Sequence, residues 1–393
     1  MKPYKLLTSL TLLLNYCCLC LLTLAAFPGF NSELHAKTHD DLSSLKQQIE
    51  RNAPSELKEV KLITIKGNEL PWTDTKMSVT KDQSVTFLLG GALDFGADII
   101  IQPGTAFWVG FGIKKPMYVP GLNTATVDAP KAGPLYFARS LTEWQNKEGK
   151  LATPLDQYKA VKGGIQALTL IWHKNSSPQK GLNELIDKGI NHPLVLSEAQ
   201  RLKSPPKLPK GWHLMWLFGN NGVFKDNFKN DRRQIDIFTH KDVGILQKNV
   251  DIALEPGVSI SWEWIVKHLP SPKAENTVPT HDYLSIAVEF DDGQDLTYMW
   301  SSHLPVGKFF RCPIPRWASI ETHYVIRNDK SQLGQWLNEK RNVYDDYKKT
   351  IGGKAKRITR IWFIANTVFQ RKYGVGSFRN IILQNSGEKL TVL

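Results

Sequence analysis

Four carboxylates lie close together in the C-terminal half of the sequence, at Glu289, Asp291, Asp292 and Asp295 around Gly293. A pair of carboxylates can hydrolyse a glycosidic bond when one acts as acid and the other as base or nucleophile. Asp-Asp-Gly is also a common hairpin turn that requires no chemistry. We therefore expect a turn here, and we keep Glu289, Asp291 and Asp292 as the catalytic candidates of an alternative hypothesis, a polysaccharide-acting hydrolase.

Histidine offers fewer candidates. Two close pairs of a histidine with an acid are His240 with Asp242 and His281 with Asp282. Two ligands do not make a metal site, and the sequence does not name a third, so surface polar residues are the simpler interpretation. The sequence contains no phosphate-binding loop, no nucleophile elbow and no His-Glu-x-x-His motif.

Tryptophan is the aromatic residue type considered for sugar binding, and the sequence contains 12 tryptophans in 393 residues. Indole faces stack on sugar rings and also pack well in cores. Four tryptophans lie within apolar runs and are expected in the core: Trp172, Trp262, Trp264 and Trp362. Three others lie in turns, strand ends or polar surroundings, so that packing and ligand stacking both stay open for them: Trp72, Trp108 and Trp144.

The first 26 residues predict a signal peptide, because Lys2 and Lys5 precede a Leu-rich stretch. An uncleaved anchor is the alternative, since that stretch is about 20 residues long. Three of the four cysteines lie inside it. The mature chain then keeps only Cys312, so neither a disulfide nor a cysteine-based zinc site is expected, and Cys312 is interpreted as a small buried apolar side chain. We expect an exported protein, periplasmic or secreted.

The composition is that of a folded protein, with 41% hydrophobic, 10% aromatic and 22% charged residues. It excludes a disordered or collagen-like chain. The net charge of +13 favours anionic partners. The stretch from Glu339 to Lys372 contains ten Lys and Arg residues and three acidic residues. This basic C-terminal region is either a solvated face or a docking surface for an anionic polymer or a membrane surface, and export argues against nucleic acid as the main target.

The pattern of short alternating strands and Gly/Pro turns predicts an all-β protein of two β-sandwich, jelly-roll-like domains with short accessory helices. Helical spacing is expected near 42–49, near 181–203 and over 336–351. The expected organisation is listed here: a signal peptide over 1–26, a helical lead-in over 27–54, a first sandwich over 55–178, a helical and Pro-rich linker over 179–210, and a second sandwich over 211–393.

Part of the first sandwich carries a family resemblance, in 70–79, 81–87, 107–110 and 129–137. These segments resemble the galactose-binding jelly-roll domains of the PA-IL lectin type. The resemblance implies a sugar site in which a loop holds calcium, at the place of 141–148 here. That segment lacks the Asp and Asn cluster and contains Lys147, so we expect no cofactor, with calcium as the alternative. The candidate residues are, for the ligand, Trp72, Asp74, Trp108, Trp144 and Asn146 and, for the metal, Glu143, Asn146 and Glu148.

The C-terminal half carries a second resemblance, in 260–264, 287–290, 298–300, 323–326 and 334–347. These segments are similar to the bacterial domain-of-unknown-function family 3047, which implies a β-sandwich and no assigned activity. The leading hypothesis is an exported, non-catalytic carbohydrate-binding protein that recognises a cell-surface or extracellular glycan. The alternatives are the hydrolase and a structural envelope or partner-binding protein.

Overall fold

The computed structural model describes residues 42–69, 71–140 and 144–393. The predicted signal peptide lies outside the described residues. The first half contains these elements: α1 (Leu42–Arg51), β1 (Leu57–Lys66), β2 (Trp72–Val79), β3 (Ser84–Asp94), β4 (Ile100–Ile101), α2 (Pro103–Ala106), β5 (Phe107–Phe111), β6 (Thr124–Asp128), β7 (Gly133–Arg139), α3 (Leu155–Tyr158), β8 (Lys162–Trp172), α4 (Pro178–Asp187) and α5 (Pro193–Lys203).

The second half is built almost entirely of strands. Its elements are β9 (His213–Leu214), β10 (Phe224–Lys229), β11 (Arg232–His240), β12 (Val243–Ala253), β13 (Ser259–His268), β14 (Tyr283–Phe290), β15 (Asp295–Trp300), β16 (Phe309–Arg311), β17 (Glu321–Arg327), β18 (Leu337–Asn342), α6 (Val343–Thr350), β19 (Arg357–Asn366), β20 (Tyr373–Gln384) and β21 (Lys389–Thr391).

The first sandwich consists of two sheets. Sheet I has the order β1-β8-β3-β4, with β6 also paired to β3, and sheet II has the order β2-β7-β5. Their facing residues form an apolar core in which the rings of Phe87, Phe107 and Phe137 lie 4.9–5.7 Å apart, edge to face. Edge-to-face contacts of this kind add to the stabilisation that comes from apolar burial.

Three helices cover the other face of sheet I. Helix α1 contributes Leu45 and Ile49, and α4 and α5 contribute residues such as Leu185 and Val195. The segment expected to be a linker is therefore largely a packed helical layer. One polar contact fastens it, because the fully buried Glu198 of α5 accepts a hydrogen bond of 2.6 Å from the hydroxyl of Thr126.

The second sandwich also consists of two sheets. Sheet III has the order β16-β17-β15-β14-β19-β12-β9, and sheet IV has the order β10-β11-β20-β13-β18, with β21 paired to β20. The core between them contains Trp262, Trp264 and Trp300, each at most 1% exposed. Alternation along β13 places every second side chain in this core, as the sequence predicts.

A third apolar cluster joins the two sandwiches. It combines Trp108 and Ala138 of sheet II with Ala287, Met299 and Trp362 of sheet III. Helices, sheet I, sheet II, sheet III and sheet IV therefore follow one another as successive layers. Strand β5 is buried along all five residues because it meets sheet I on one side and the second half on the other.

The prediction of an all-β protein built from β-sandwiches with short accessory helices is confirmed. The helix predicted over 336–351 is wrong in its first part, because β18 there pairs antiparallel with β13 at the edge of sheet IV. Helix α6 begins only at Val343, where the Asn342 side chain accepts the N–H of Asp345 at 3.1 Å and caps the helix. Within the described part of the chain, no helix is both long and apolar enough to cross a bilayer.

Candidate functional site

A groove of about 620 Å³ opens at the surface where sheet II meets the second half of the chain. Trp108 at its base and the half-buried Trp216 and Phe218 give it aromatic walls. Lys115, Lys131 and Lys147 line the same groove. An apolar wall with a few polar groups is the usual composition of a small-molecule site.

Two chain segments form the walls of this groove. The first follows β5 and returns along it, because Tyr118 and Val109 exchange backbone hydrogen bonds of 2.9 and 3.2 Å. The second follows β9 and carries Trp216 and Phe218. The segments touch through their backbones at Gly219, where an added Cβ would lie 2.4 Å from the carbonyl oxygen of Val119. A residue larger than glycine would therefore push the walls apart.

The charged side chains that line the groove are all positive. Lys115, Lys131 and Lys147 are exposed. Among residues 42–69, 71–140 and 144–393, none of these three ammonium groups forms an ion pair with a carboxylate. Uncompensated positive charge beside an aromatic wall attracts anions and concentrates them there.

The structure brings the three candidate tryptophans of the first sandwich together. The ring centroids are 5.4 Å apart for Trp72 and Trp144, 6.2 Å for Trp144 and Trp108, and 6.0 Å for Trp108 and Trp216. We call these four residues the aromatic seam. Trp108 and Trp144 are 1% and 0% exposed, so they pack the junction between the sandwiches and offer no open ring face for a sugar. Trp72 and Trp216 are half-buried.

Arg316 lies at the end of the seam in the second half. Its guanidinium donates from Nη1 to the carbonyl oxygen of Trp144, and its Cζ atom lies 5.9 Å from the ring centroid of Trp216. Arginine above an indole face is a favourable cation–π arrangement. Arg316 therefore helps to fix the orientation of the indole that lines the groove.

The remaining candidates of the first sandwich are dispersed. Asp74 on β2 is exposed and pairs with Lys76 at 2.7 Å, and this hydrogen bond lowers the pKa of Asp74. The Asn146 amide oxygen accepts the N–H of Lys150 at 3.0 Å and so closes the turn between Trp144 and Leu151. Glu148 is exposed, and Glu143 lies outside the described residues.

The three carboxylates of the hydrolase hypothesis have partners within the fold. Glu289 pairs with Arg360 at 2.5 Å and accepts from the Trp362 indole at 2.9 Å. Asp291 accepts the N–H groups of Lys356 and Arg357. Asp292 accepts from the Tyr347 hydroxyl at 2.5 Å and from the N–H of Gln294 at 3.1 Å. These bonds hold the turn around Gly293 and the start of β19 in place.

The basic C-terminal region is spread over several elements, from β18 through α6 and β19 to the start of β20. Three of its arginines are already paired with acids: Arg341 with Asp346, Arg357 with Asp251, and Arg360 with Glu289. Its other members include exposed lysines such as Lys340, Lys354 and Lys356.

Sequence reasoning missed Trp216 and the lysines at 115 and 131 as lining residues of a groove. Lys115 lies in the loop after β5, Lys131 between β6 and β7, and Trp216 after β9, and each of these segments resembles an ordinary surface loop in the sequence. The groove exists because a segment of the second half lies beside the loop after β5, and no local pattern predicts that contact.

Several solved structures are similar to parts of this chain. The EclA N-terminal domain, a PllA-like lectin, is 14% identical, with 30% of this chain and 99% of that chain covered and a TM-score of 0.23. TmCBM61 in complex with β-1,4-galactotriose is 10% identical, with 45% and 90% covered and a TM-score of 0.24. The xyloglucanase domain of NopAA from Sinorhizobium fredii, in complex with cellobiose, is 8% identical, with 45% and 94% covered and a TM-score of 0.25.

No curated protein matches the chain. The resemblance noted for the second half is confirmed by a family match over 171 residues, which run from Trp212 to Ile382. This stretch contains sheets III and IV almost completely. In the second half, residues 212–382 thus match the family described as "Protein of unknown function (DUF3047)".

Proposed function

We propose that the protein is an exported, non-catalytic binder of anionic carbohydrate and that the ligand lies in the groove at the end of the aromatic seam. The observation that carries the proposal is the combination of the half-buried Trp216 with three exposed lysines around one groove. A sugar ring offers an apolar face to an indole and, when it carries a carboxylate or sulfate, an anion to the ammonium groups.

The charge of the groove distinguishes an acidic sugar from a neutral one. A neutral galactoside would accept hydrogen bonds from Lys115, Lys131 and Lys147 but leave their charge uncompensated, whereas a uronate or sulfated oligosaccharide would also neutralise that charge. Stacking on aromatic rings supplies affinity with little selectivity, so the lysines would set the preference for acidic sugars.

Two further parts of the proposal rest on other grounds. Export is supported by the basic and Leu-rich start of the sequence, and N-terminal sequencing of the periplasmic or secreted protein tests it. A non-catalytic role is supported by the fold contacts of Glu289, Asp291 and Asp292, which leave these carboxylates engaged with the turn and β19.

The experiment is calorimetric titration of the full mature chain with matched acidic and neutral oligosaccharides: oligogalacturonate, a sulfated galactan fragment, and neutral galactan of equal length. The groove variant is Lys115→Gln/Lys131→Gln. The matched control is Lys81→Gln/Lys174→Gln, which removes the same charge from two exposed lysines that do not line the groove.

We expect binding of at least one acidic oligosaccharide, and we expect it to weaken about tenfold in the groove variant, which corresponds to about 1.4 kcal/mol. The control variant should keep the affinity of the wild type. Equal affinity for the neutral galactan, or equal loss in the groove and control variants, would overturn the proposal.

A further inference from the structure

A second polar cluster lies far below the surface, on the face of sheet III that is covered by the segment after β16. It consists of His281, Cys312, Glu321 and His323, which are 0%, 2%, 3% and 0% exposed. His281 precedes β14, Glu321 and His323 point from β17, and Cys312 follows β16. Buried polar and ionisable groups are costly unless each finds a partner, so the cluster requires an explanation.

The first pair in this cluster is His281 and Cys312. The Sγ atom of Cys312 lies 3.4 Å from Nε2 of His281. The other ring nitrogen, Nδ1, donates to the carbonyl oxygen of Glu275 at 2.5 Å. That hydrogen bond fixes the proton on Nδ1, so the lone pair of Nε2 points at the sulfur. Burial raises the pKa of the Cys312 thiol. A nucleophilic cysteine needs a lowered pKa, so Cys312 is not placed to act as a nucleophile.

The second pair is Glu321 and His323. Nε2 of His323 lies 3.3 Å from Oε1 of Glu321. Neither nitrogen of His323 has a hydrogen-bond partner among the residues that the structure describes. A fully buried imidazole that faces a thiol and a carboxylate without a well-directed hydrogen bond to any described residue is the kind of exception that points to a missing ligand.

Two of the distances in the cluster match those around a metal ion, and the two histidines and the cysteine are close enough together to share one. The ligand atoms of His281, Cys312 and His323 all lie within 4.8 Å of one another. Around a tetrahedral zinc ion with bonds of about 2.0–2.3 Å, neighbouring ligand atoms lie about 3.3–3.6 Å apart. The pairs at 3.4 Å and 3.3 Å have this spacing.

The residues around the cluster form hydrogen bonds that orient its side chains, as the residues around the ligands of a metal site do. The Glu321 carboxylate accepts from the Tyr283 hydroxyl at 3.1 Å and from the Thr297 hydroxyl at 3.2 Å. The carbonyl of Glu275 orients His281, and the Glu275 carboxylate is itself fixed by the N–H of Ser302 at 2.6 Å. Such second-layer bonds set the ring orientation and donor strength of metal ligands.

We propose that this cluster is a structural zinc site in which His281, Cys312 and His323 are three of the ligands and Glu321, whose Oε1 atom lies 3.3 Å from Nε2 of His323, is the fourth. One thiolate and one carboxylate balance the charge of the dication, so the filled site is neutral and suited to an apolar interior. Four protein ligands leave no open position for substrate, which makes the role structural and independent of the groove. The site joins strands β14 and β17 to the segment that covers them.

The proposal departs from one expectation from the sequence, and the structure corrects another. A zinc site was not expected because the mature chain contains one cysteine, yet one cysteine is sufficient when two histidines and a carboxylate complete the set. His281 was interpreted as a surface residue without a third ligand, and it is fully buried.

The test uses the full chain purified without chelator or affinity metal. Mass spectrometry of the metals should find about one zinc per chain, and exchange with Co²⁺ should give the intense visible bands of a tetrahedral ion together with a thiolate-to-cobalt band in the near ultraviolet. Cys312→Ser should lose the near-ultraviolet band. The control His303→Gln changes an exposed histidine between β15 and β16 and should keep both signals.

Removal of zinc with a strong chelator should lower the melting temperature of the wild type, and added zinc should restore it, because an ion that binds only the folded state stabilises it. Wild-type protein that carries no metal and shows no visible bands on Co²⁺ titration would overturn the proposal, whether or not the variants fold. In that case, His323 and Glu321 form a buried ion pair instead.

Discussion

The ring centroids of Trp108 and Trp216 lie 6.0 Å apart, and with this contact a strand of the first sandwich touches a segment of the second half. Trp108 belongs to a cluster that also contains Met299 and Trp362 of sheet III. The aromatic seam therefore serves two ends, since it fills the junction between the sandwiches and gives the groove its wall. The stability of the junction and the affinity of the groove for its ligand should therefore be coupled.

Trp144→Ala should lower the free energy of unfolding by about 3–5 kcal/mol, because it removes a fully buried indole from the junction. Because both sandwiches share this cluster, the urea unfolding curve should shift as a whole. The comparison is Phe228→Ala, which changes a side chain that is 70% exposed and should shift stability by at most about 0.5 kcal/mol. A curve in which one transition moves and a second stays fixed would show that the sandwiches unfold separately.

Glu198→Ala should destabilise the protein by about 3 kcal/mol. The carboxylate is fully buried and binds Arg201 through two bonds of 2.6 and 2.7 Å, so its removal leaves the guanidinium without its ion-pair partner. Glu184→Ala on the neighbouring helix breaks an exposed pair with Lys188 and should cost at most about 0.5 kcal/mol. Equal effects in thermal melts would contradict the assignment of α5 to the packed layer.

Asp242→Asn should stabilise the protein at neutral and higher pH. Burial raises the pKa of Asp242 to about 6, above its ordinary value of 3.8. An acid with a raised pKa contributes stability that is complete below the unfolded value and is lost as pH rises through the folded value. The asparagine can still accept the N–H of His240, which Asp242 accepts at 3.0 Å.

The gain should therefore reach at most about 3 kcal/mol above pH 7 and disappear near pH 4. Urea unfolding of both proteins at these two pH values measures it. Stabilisation of the same size at both values would mean that ionisation of Asp242 is not the cause.

Ionic strength should separate groove binding from plain adhesion to a basic surface. Binding of an acidic oligosaccharide by the wild type should weaken as salt rises, because the three lysines of the groove are exposed to solvent. The Lys115→Gln/Lys131→Gln variant should show a flatter salt dependence, whereas Lys340→Gln/Lys354→Gln in the basic C-terminal region should match the wild type. A flatter dependence only in the second variant would move the ligand to that region.

Local patterns predicted much of the fold. Alternation along β13 and the continuous apolar run of β8 both correspond to strands with the expected burial. The error at 336–342 has a plain cause, since Leu337–Asn342 is an edge strand whose charged side chains carry little alternation, and helical spacing was the stronger local signal. Whether such a segment forms an edge strand depends on the strand that it pairs with, and its own sequence carries little signal.

The sites were harder to predict, for a different reason. Trp108 and Trp144 are buried by a second sandwich that packs on sheet II, which explains why β5 reads Phe-Trp-Val-Gly-Phe without alternation. His281 and Cys312 are 31 residues apart and meet only through the order of strands in sheet III. Periodicity reports which face a residue occupies, whereas partners across a sheet depend on long-range pairing.

The hydrogen bonds between Val109 and Tyr118 have one more consequence. Strand β5 is an edge strand of sheet II, and the loop that returns along it occupies its free side. An uncovered apolar edge would be a template for pairing with another chain. The wall of the groove thus also shields the protein from self-association, and changes in this loop that improve ligand affinity would be limited by solubility.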